Sequence, residues 1–190
     1  MDFVNLRILT ALAAATLALG GCAEEAEQGQ AGQEAGSETE NETLAQAIAG
    51  ADNLSSAAKA LGDVGLAPVF DGAGSYTILV PNNDAFAALG EVHDAGAGTE
   101  HRAALAAILR DHIVPGYLTP ADIGAAIDAQ GGTVRAETMG EQTLRFSRDG
   151  ESIRVTSDDG SSALIAGEAL RASNGVAIPL DGVLKDLTPA

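Results

Sequence analysis

The side chains able to do chemistry are few, and their spacing limits what they could do. Three histidines, His93, His101 and His112, and the single cysteine, Cys22, are the whole supply of soft or neutral-pH-active groups. His93 and His101 lie among Glu91, Asp94 and Glu100 in a Gly/Ala-rich stretch whose spacing forces no convergence on a metal ion. A lone cysteine excludes an internal disulfide and a cysteine-based zinc cluster. Asp158-Asp159-Gly160-Ser161-Ser162 lacks the alternating acids and closing glutamate of a calcium loop, so a solvated turn is expected there. There is no Gly-x-Ser-x-Gly elbow, and no glycine-rich loop leads into a Lys-Ser/Thr pair. No catalytic residue, metal site or cofactor is expected, and the chain is not read as an enzyme.

One histidine has a definable setting. Leu105, Ile108, Leu109 and His112 fall at i, i+3, i+4 and i+7 of a helix expected over Glu100–His112, which puts His112 on the apolar stripe. It is either a semi-buried core histidine holding one hydrogen bond or, beside Asp111, a pH-sensitive or ligand-facing group.

Composition narrows the partners. The 190 residues carry 27 acidic and 10 basic side chains, a net charge of −17, which argues against a nucleic-acid partner. Tyr and Phe together are scarce and Trp is absent, so the core must be built from small and aliphatic side chains.

The N-terminal part separates into two units. Ile8–Leu19 is an apolar run too short for a bilayer crossing of roughly 20 helical residues. It leads through Gly20-Gly21 into Cys22, and this arrangement resembles the bacterial lipobox. The resemblance implies that residues 1–21 are a lipoprotein signal peptide and that Cys22 is acylated, anchoring the chain to a membrane. Ala23 after Cys22 resembles the pattern that permits sorting to the outer membrane. Glu24, Glu25, Glu27, Glu34, Glu38, Glu40 and Glu42 then alternate with Gln, Gly, Ala and Ser without a base. Residues 22–43 are expected as a disordered, self-repelling tether.

Residues 44–190 read as one α+β domain, helical in its first half and strand-like in its second. Thr43 is the expected N-cap of a short helix, and a second helix is expected over Leu54–Leu61. Ser75–Val80 reads as a strand stopped by Pro81, with Asn82 or Asn83 capping a helix over Asp84–Leu89. Thr119-Pro120-Ala121-Asp122 is a strong helix start. From Thr133 the period changes to two, and an Asp149-Gly150 turn predicts a hairpin. That register pairs Phe146 with Ile153 and sets Arg145 against Arg154, a possible anion contact because like charges directly opposed are unfavourable. Further strands are expected near Ala163–Ala169 and Val176–Leu180, with Pro179 marking an edge or bulge.

Three segments carry a family resemblance. Tyr76-Thr77-Ile78-Leu79-Val80-Pro81-Asn82-Asn83-Asp84-Ala85-Phe86 resembles the first signature of fasciclin (FAS1) domains, and Ala172–Val176 through Leu180–Leu184 resembles the second. His112-Ile113-Val114-Pro115-Gly116 is similar to the central His-containing segment between them. The resemblance implies a β-sandwich wedge with helices packed on one side. It also implies that Thr77 and Pro81 set a strand-to-helix corner, Phe86 packs in the core and Asp181 ties down the terminal strand. Asn82, Pro115, Gly116, Asn174 and Gly175 complete the motif residues. The chain departs from the family at Ala177-Ile178-Pro179, where a histidine is frequent, and at Asp111-His112, which replaces the pair linked to receptor adhesion. Integrin binding is therefore not carried over. The resemblance implies an adhesion or interaction module for an envelope or extracellular protein or polysaccharide. The alternatives it leaves open are a carrier of a small apolar ligand, lipid or carotenoid, and a structural envelope spacer.

Overall fold

The computed structural model describes residues 38–39, 41–90 and 98–186. Cys22, His93 and the leading residues 1–37 lie outside this range. In order, the elements are β1 (Glu38–Thr39), α1 (Leu44–Gly50), α2 (Ser55–Asp63), β2 (Tyr76–Pro81), α3 (Asn83–Ala87), α4 (Thr99–Arg110), β3 (Ile113–Pro115), α5 (Pro120–Gln130), β4 (Thr133–Glu137), β5 (Thr143–Asp149), β6 (Ser152–Thr156), β7 (Ser162–Leu164), β8 (Leu170–Ala172) and β9 (Gly175–Leu180). Short 3₁₀ turns at Asp52–Leu54 and Ala67–Asp71 link the first elements.

The helix starts follow local side-chain chemistry. Thr43 and Gln46 form a reciprocal capping box at α1, and Thr119 and Asp122 form another at α5, with Pro120 at its first turn. Such caps contribute about 1 kcal/mol each by giving orphan N–H groups an acceptor. Asn82, rather than Asn83, caps α3 by accepting from Ala85 N–H at 2.8 Å. Asn83 instead accepts from Ser56 N–H and donates to Asp52 O, so it fastens the start of α2 to α3.

The described residues form two sheets, ordered β1-β8-β9-β2-β3 and β4-β5-β6-β7. The first is central. Its β2 residues Ile78 and Val80 join the helical core around Leu44, Ile48, Leu54, Phe70 and Leu105, whereas Leu79 joins the core against the second sheet. On β9, Ala177 faces the helices while Val176, Ile178 and Leu180 meet Leu144, Phe146 and Val155. Period-two alternation thus feeds two cores from one strand, and β9 is buried along its length. This is an α+β wedge in which helices cover one face of the central sheet. The exception is α5, whose Ile123 and Ile127 pack in the core between the sheets.

Several expectations need correction. The globular part takes in chain ahead of Leu44: β1 pairs in parallel with β8, and Ser173 N–H and Oγ–H both donate to Glu42 O at 2.9 Å. The β5–β6 hairpin closes on Gly150-Glu151, not Asp149-Gly150, because Gly150 takes φ +62° at the first loop position. The register therefore pairs Phe146 with Val155 and Arg145 with Thr156, and Arg145 does not oppose Arg154. The partner moves by two residues, so each side chain keeps its expected face. Nor is β9 an edge strand, since it lies between β8 and β2. Pro179 is accommodated because β8 stops opposite Ala177 and the Pro179 carbonyl turns to that side, accepting from Ala166 N–H at 2.8 Å. A residue's N and C=O point to the same strand edge, so the missing N–H is not needed by β2.

One joint fixes how the halves meet. Asn174 Oδ1 accepts from Leu44 N–H at 2.7 Å, while its Nδ2 donates to Phe70 O at 2.7 Å and Gly72 O at 2.8 Å. The next residue, Gly175, passes so close to β2 that a Cβ there would lie 2.3 Å from Tyr76 O and 2.7 Å from Leu44 Cδ2. Since one of those neighbours is backbone, Gly175→Ala is expected to destabilise by about 3 kcal/mol or more. Asn174→Ala leaves Leu44 N–H, Phe70 O and Gly72 O without this partner and is expected to lower stability by about 3 kcal/mol. Urea unfolding measures both; a loss below about 1 kcal/mol in either would remove the joint from the account.

Candidate functional site

The motif residues converge on joints within the fold. Thr77 lies on the second residue of β2, away from the expected strand-to-helix corner. Its Oγ–H donates to Gly116 O at 2.8 Å and the same oxygen accepts from Leu118 N–H at 2.8 Å, so it holds the turn after β3. Pro115 ends β3 opposite Tyr76, and Gly116 N–H donates to Ser75 O at 2.9 Å. Pro81 closes β2 opposite Leu180, and Asn82 N–H donates to Leu180 O at 2.9 Å. The corner is therefore made by Pro81 and Asn82. Phe86 is buried in the helical core. Asp181 accepts from Leu164 N–H at 2.7 Å and returns its own N–H to Leu164 O at 3.1 Å, tying the end of β9 to β7.

His112 is not semi-buried with one bond. It follows the end of α4, only 1% exposed, and both ring nitrogens are used. Nδ1 lies 2.8 Å from Ile108 O, and Nε2 lies 3.0 Å from Leu184 N. Because a carbonyl can only accept and an N–H only donate, the ring is neutral with its proton on Nδ1. Burial pushes its pKa down to about 4, against the opposing effect of the Ile108 carbonyl.

The turn at Asp158–Ser162 is a second anchor for the same C-terminal segment, not merely solvated. Asp159 accepts from the hydroxyls of Ser157 and Ser161, from Ser161 N–H and from Asp186 N–H, and lies 3.6 Å from Lys185 Nζ. Partial burial raises its carboxyl pKa, but those hydrogen bonds outweigh burial and hold it well below the usual carboxylate range. His112 and Asp159 thus clamp Leu184–Asp186 from two sides.

Arg145 and Arg154 are not brought together as an anion site. Arg145 bonds Asp158 at 2.7 Å, and Arg154 pairs with Asp149. Arg145 instead stands directly opposite Arg135 of β4. Beside His112, Asp111 lies buried at the end of α4 and accepts from Gln142 Nε2 at 3.1 Å. Burial raises its pKa, Lys185 counters that, and Asp159 adds to it. Gln142, Met139 and Glu141 are new to this region. Their only sequence signal is a Met-Gly-Glu-Gln turn between two alternating strands.

A sequence profile of the Fasciclin domain matches residues 52–186. The chain belongs to the fasciclin family. The FAS1 fold follows equally from structure: the FAS1 domain pair of the insect cell adhesion molecule fasciclin I is similar with a TM-score of 0.64, at 13% identity, over 77% of this chain and 52% of that one. The chain thus spans about half of that domain pair, and the likeness is one of fold. Protein sll1483 of Synechocystis sp. is 31% identical over 149 residues, 75% of this chain and 72% of that protein. FAS1 domains are commonly adhesion or interaction modules. In this FAS1 domain the motif residues use their polar atoms for the fold.

The neutral ring of His112 sets an acid dependence. The unfolded chain takes up a proton near pH 6.5 and the folded domain only near 4, so stability is full above 6.5 and falls as pH drops between these values. The expected loss is about 3 kcal/mol, at most about 1.4 kcal/mol per pH unit. Urea unfolding at stepped pH checks this; a slope between pH 6.5 and 5 that persists in His112→Gln would assign it to another group. Arg145→Ala and Arg154→Ala, each removing an exposed ion pair, are expected to leave stability within about 0.5 kcal/mol of the parent in the same assay.

Proposed function

We propose that this protein is a membrane-anchored bacterial cell-envelope lipoprotein, in which lipid on Cys22 holds the FAS1 domain at the outer membrane through the acidic segment. The domain acts as an adhesion module that engages an envelope or extracellular protein or polysaccharide, without catalysis. What carries this reading is the position of the only cysteine, directly after a short apolar run and ahead of a FAS1 domain. Two or more acyl chains make a stable anchor, since each buried methylene contributes about 0.8 kcal/mol. The uncompensated charges of Glu24, Glu25, Glu27 and Glu34 disfavour contact with an anionic surface.

The test combines labelling, release and attachment. Cells fed an alkyne fatty acid should label the parent chain and not Cys22→Ser, and the variant should leave the membrane fraction. Deleting the gene should lower attachment to surfaces or neighbouring cells, and Cys22→Ser should lower it as well. Label that survives in Cys22→Ser would sink the anchor. Undiminished attachment on deletion would sink the adhesion role and leave an envelope spacer. Native mass spectrometry with solvent extraction of the exported Cys22→Ser protein adds a third outcome, because a stoichiometric lipid or pigment would make the domain an apolar-ligand carrier.

A further inference from the structure

Four locally unfavourable features meet in one cleft at the C-terminal end of α4. The cleft measures about 450 Å³, within the range of small-ligand sites. Asp111 places a buried carboxylate at a helix C-terminus, the end where the helix dipole disfavours negative charge. Glu141 holds φ +66°, alone among described non-glycine residues in having a positive φ. Gln142 Oε1 is buried without a donor. Met139 is 39% exposed, one of two large apolar side chains so exposed among the described residues.

These features are tied to one another. Gly140 leaves room for Asp111, since a Cβ there would lie 2.0 Å from Asp111 Oδ1. Gly140 N–H donates to Arg110 O at 3.2 Å, and Thr138 Oγ accepts from Gln142 N–H at 3.1 Å, so the turn is clamped onto the helix end. Because Gln142 Nε2 is committed to Asp111, flipping the amide would set two acceptors face to face. A strained residue, an orphan acceptor and an exposed apolar platform concentrated in one held turn mark a binding site rather than a packing solution.

We propose that this cleft binds one sugar residue of a neutral glycan. This deepens the adhesion reading and rests on the domain being an interaction module. The lining offers charged donors from Arg110 and Lys185 and acceptors from Asp111 and Glu141. A sugar hydroxyl both donates and accepts, so adjacent hydroxyls can meet both sets. Arg110 and Lys185 stand among the carboxylates of Asp111 and Glu141, and Asp159 lies 3.6 Å from Lys185, so the cleft offers no uncompensated cation to an anionic ligand. The chain's −17 repels polyanions as well. Met139 supplies a polarisable apolar surface for the C–H face of the ring. Gln142 Oε1 is buried behind the lining, and Gln142 acts on the cleft through its Nε2, which holds the Asp111 carboxylate in place.

The test titrates the full chain with cello-, malto- and chito-oligosaccharides, with hyaluronate oligomers as anionic probes and oligolysine as a basic one, following amide shifts by NMR. At least one neutral series should shift the amides of Met139–Gln142. Met139→Ala, at an exposed position, should weaken that binding about tenfold without moving Tm. Gln142→Met should weaken it similarly, with Tm recorded to separate binding from folding, and Glu141→Gly should raise Tm by relieving the backbone. The proposal is overturned if no neutral oligosaccharide binds, if shifts map elsewhere, if only hyaluronate or oligolysine binds, or if Met139→Ala binds as the parent does. Its failure is separable from that of adhesion. Gene deletion that lowers attachment while Met139→Ala does not would remove this site and keep the adhesion role. Sugar binding at the cleft in a protein whose deletion leaves attachment intact would do the reverse.

Discussion

The parallel pairing of β2 with β9 joins residues about a hundred positions apart along the chain, and it can form only where Gly175 lets the two backbones close. All six residues of β2 find a partner there, from Tyr76 with Gly175 to Pro81 with Leu180. Because both strands are buried on both faces, this ladder organises the helical core and the inter-sheet core together. Asn174 then couples the ladder to the N-terminal helices by bonding Leu44, Phe70 and Gly72, and the Phe70 ring meets Tyr76 edge-on at 5.5 Å. Contacts at this sequence separation close long loops, so the ladder must offset their closure entropy.

The same constraint accounts for what the sequence made legible. Local signals carried far: the N-caps at Thr43 and Thr119, a cap at Asn82 or Asn83, the β4–β6 alternation and the apolar stripe that buries His112 all act within a few residues. The hairpin register turns on a single loop choice, because Asp149-Gly150 and Gly150-Glu151 both suit a two-residue turn and side-chain faces are the same in either. Pro179 misled for a related reason. A proline forbids a ladder bond on one strand edge only, and which edge faces β8 depends on where β8 stops.

The long-range roles had no local signature. His112 reads as a core residue from its period, but its bond to Leu184 spans 72 positions. Asp159 reads as a turn acid, yet it holds Asp186 N–H from 27 residues away. The cleft was invisible for the same reason. Asp111 and Gln142 meet across 31 residues, and the strain at Glu141 is a backbone property that no residue type announces. Motif residues were legible as fold, whereas the cleft is lined by residues between the motifs.

The entry of the chain into the domain has a mechanical meaning. Any pull arriving through the residues before Glu38 meets first the two-residue β1–β8 ladder, then the Ser173 bonds to Glu42 and the Asn174 bond to Leu44. A ladder of two residues resists little, so tension passes almost undiminished to Asn174. That side chain also grips Phe70 and Gly72, and the residue after it begins β9. Force is thereby delivered to the best-braced point of the domain rather than to a peripheral helix. A short first strand can yield and lengthen the connection while the joint behind it, and the whole of both cores, stays closed.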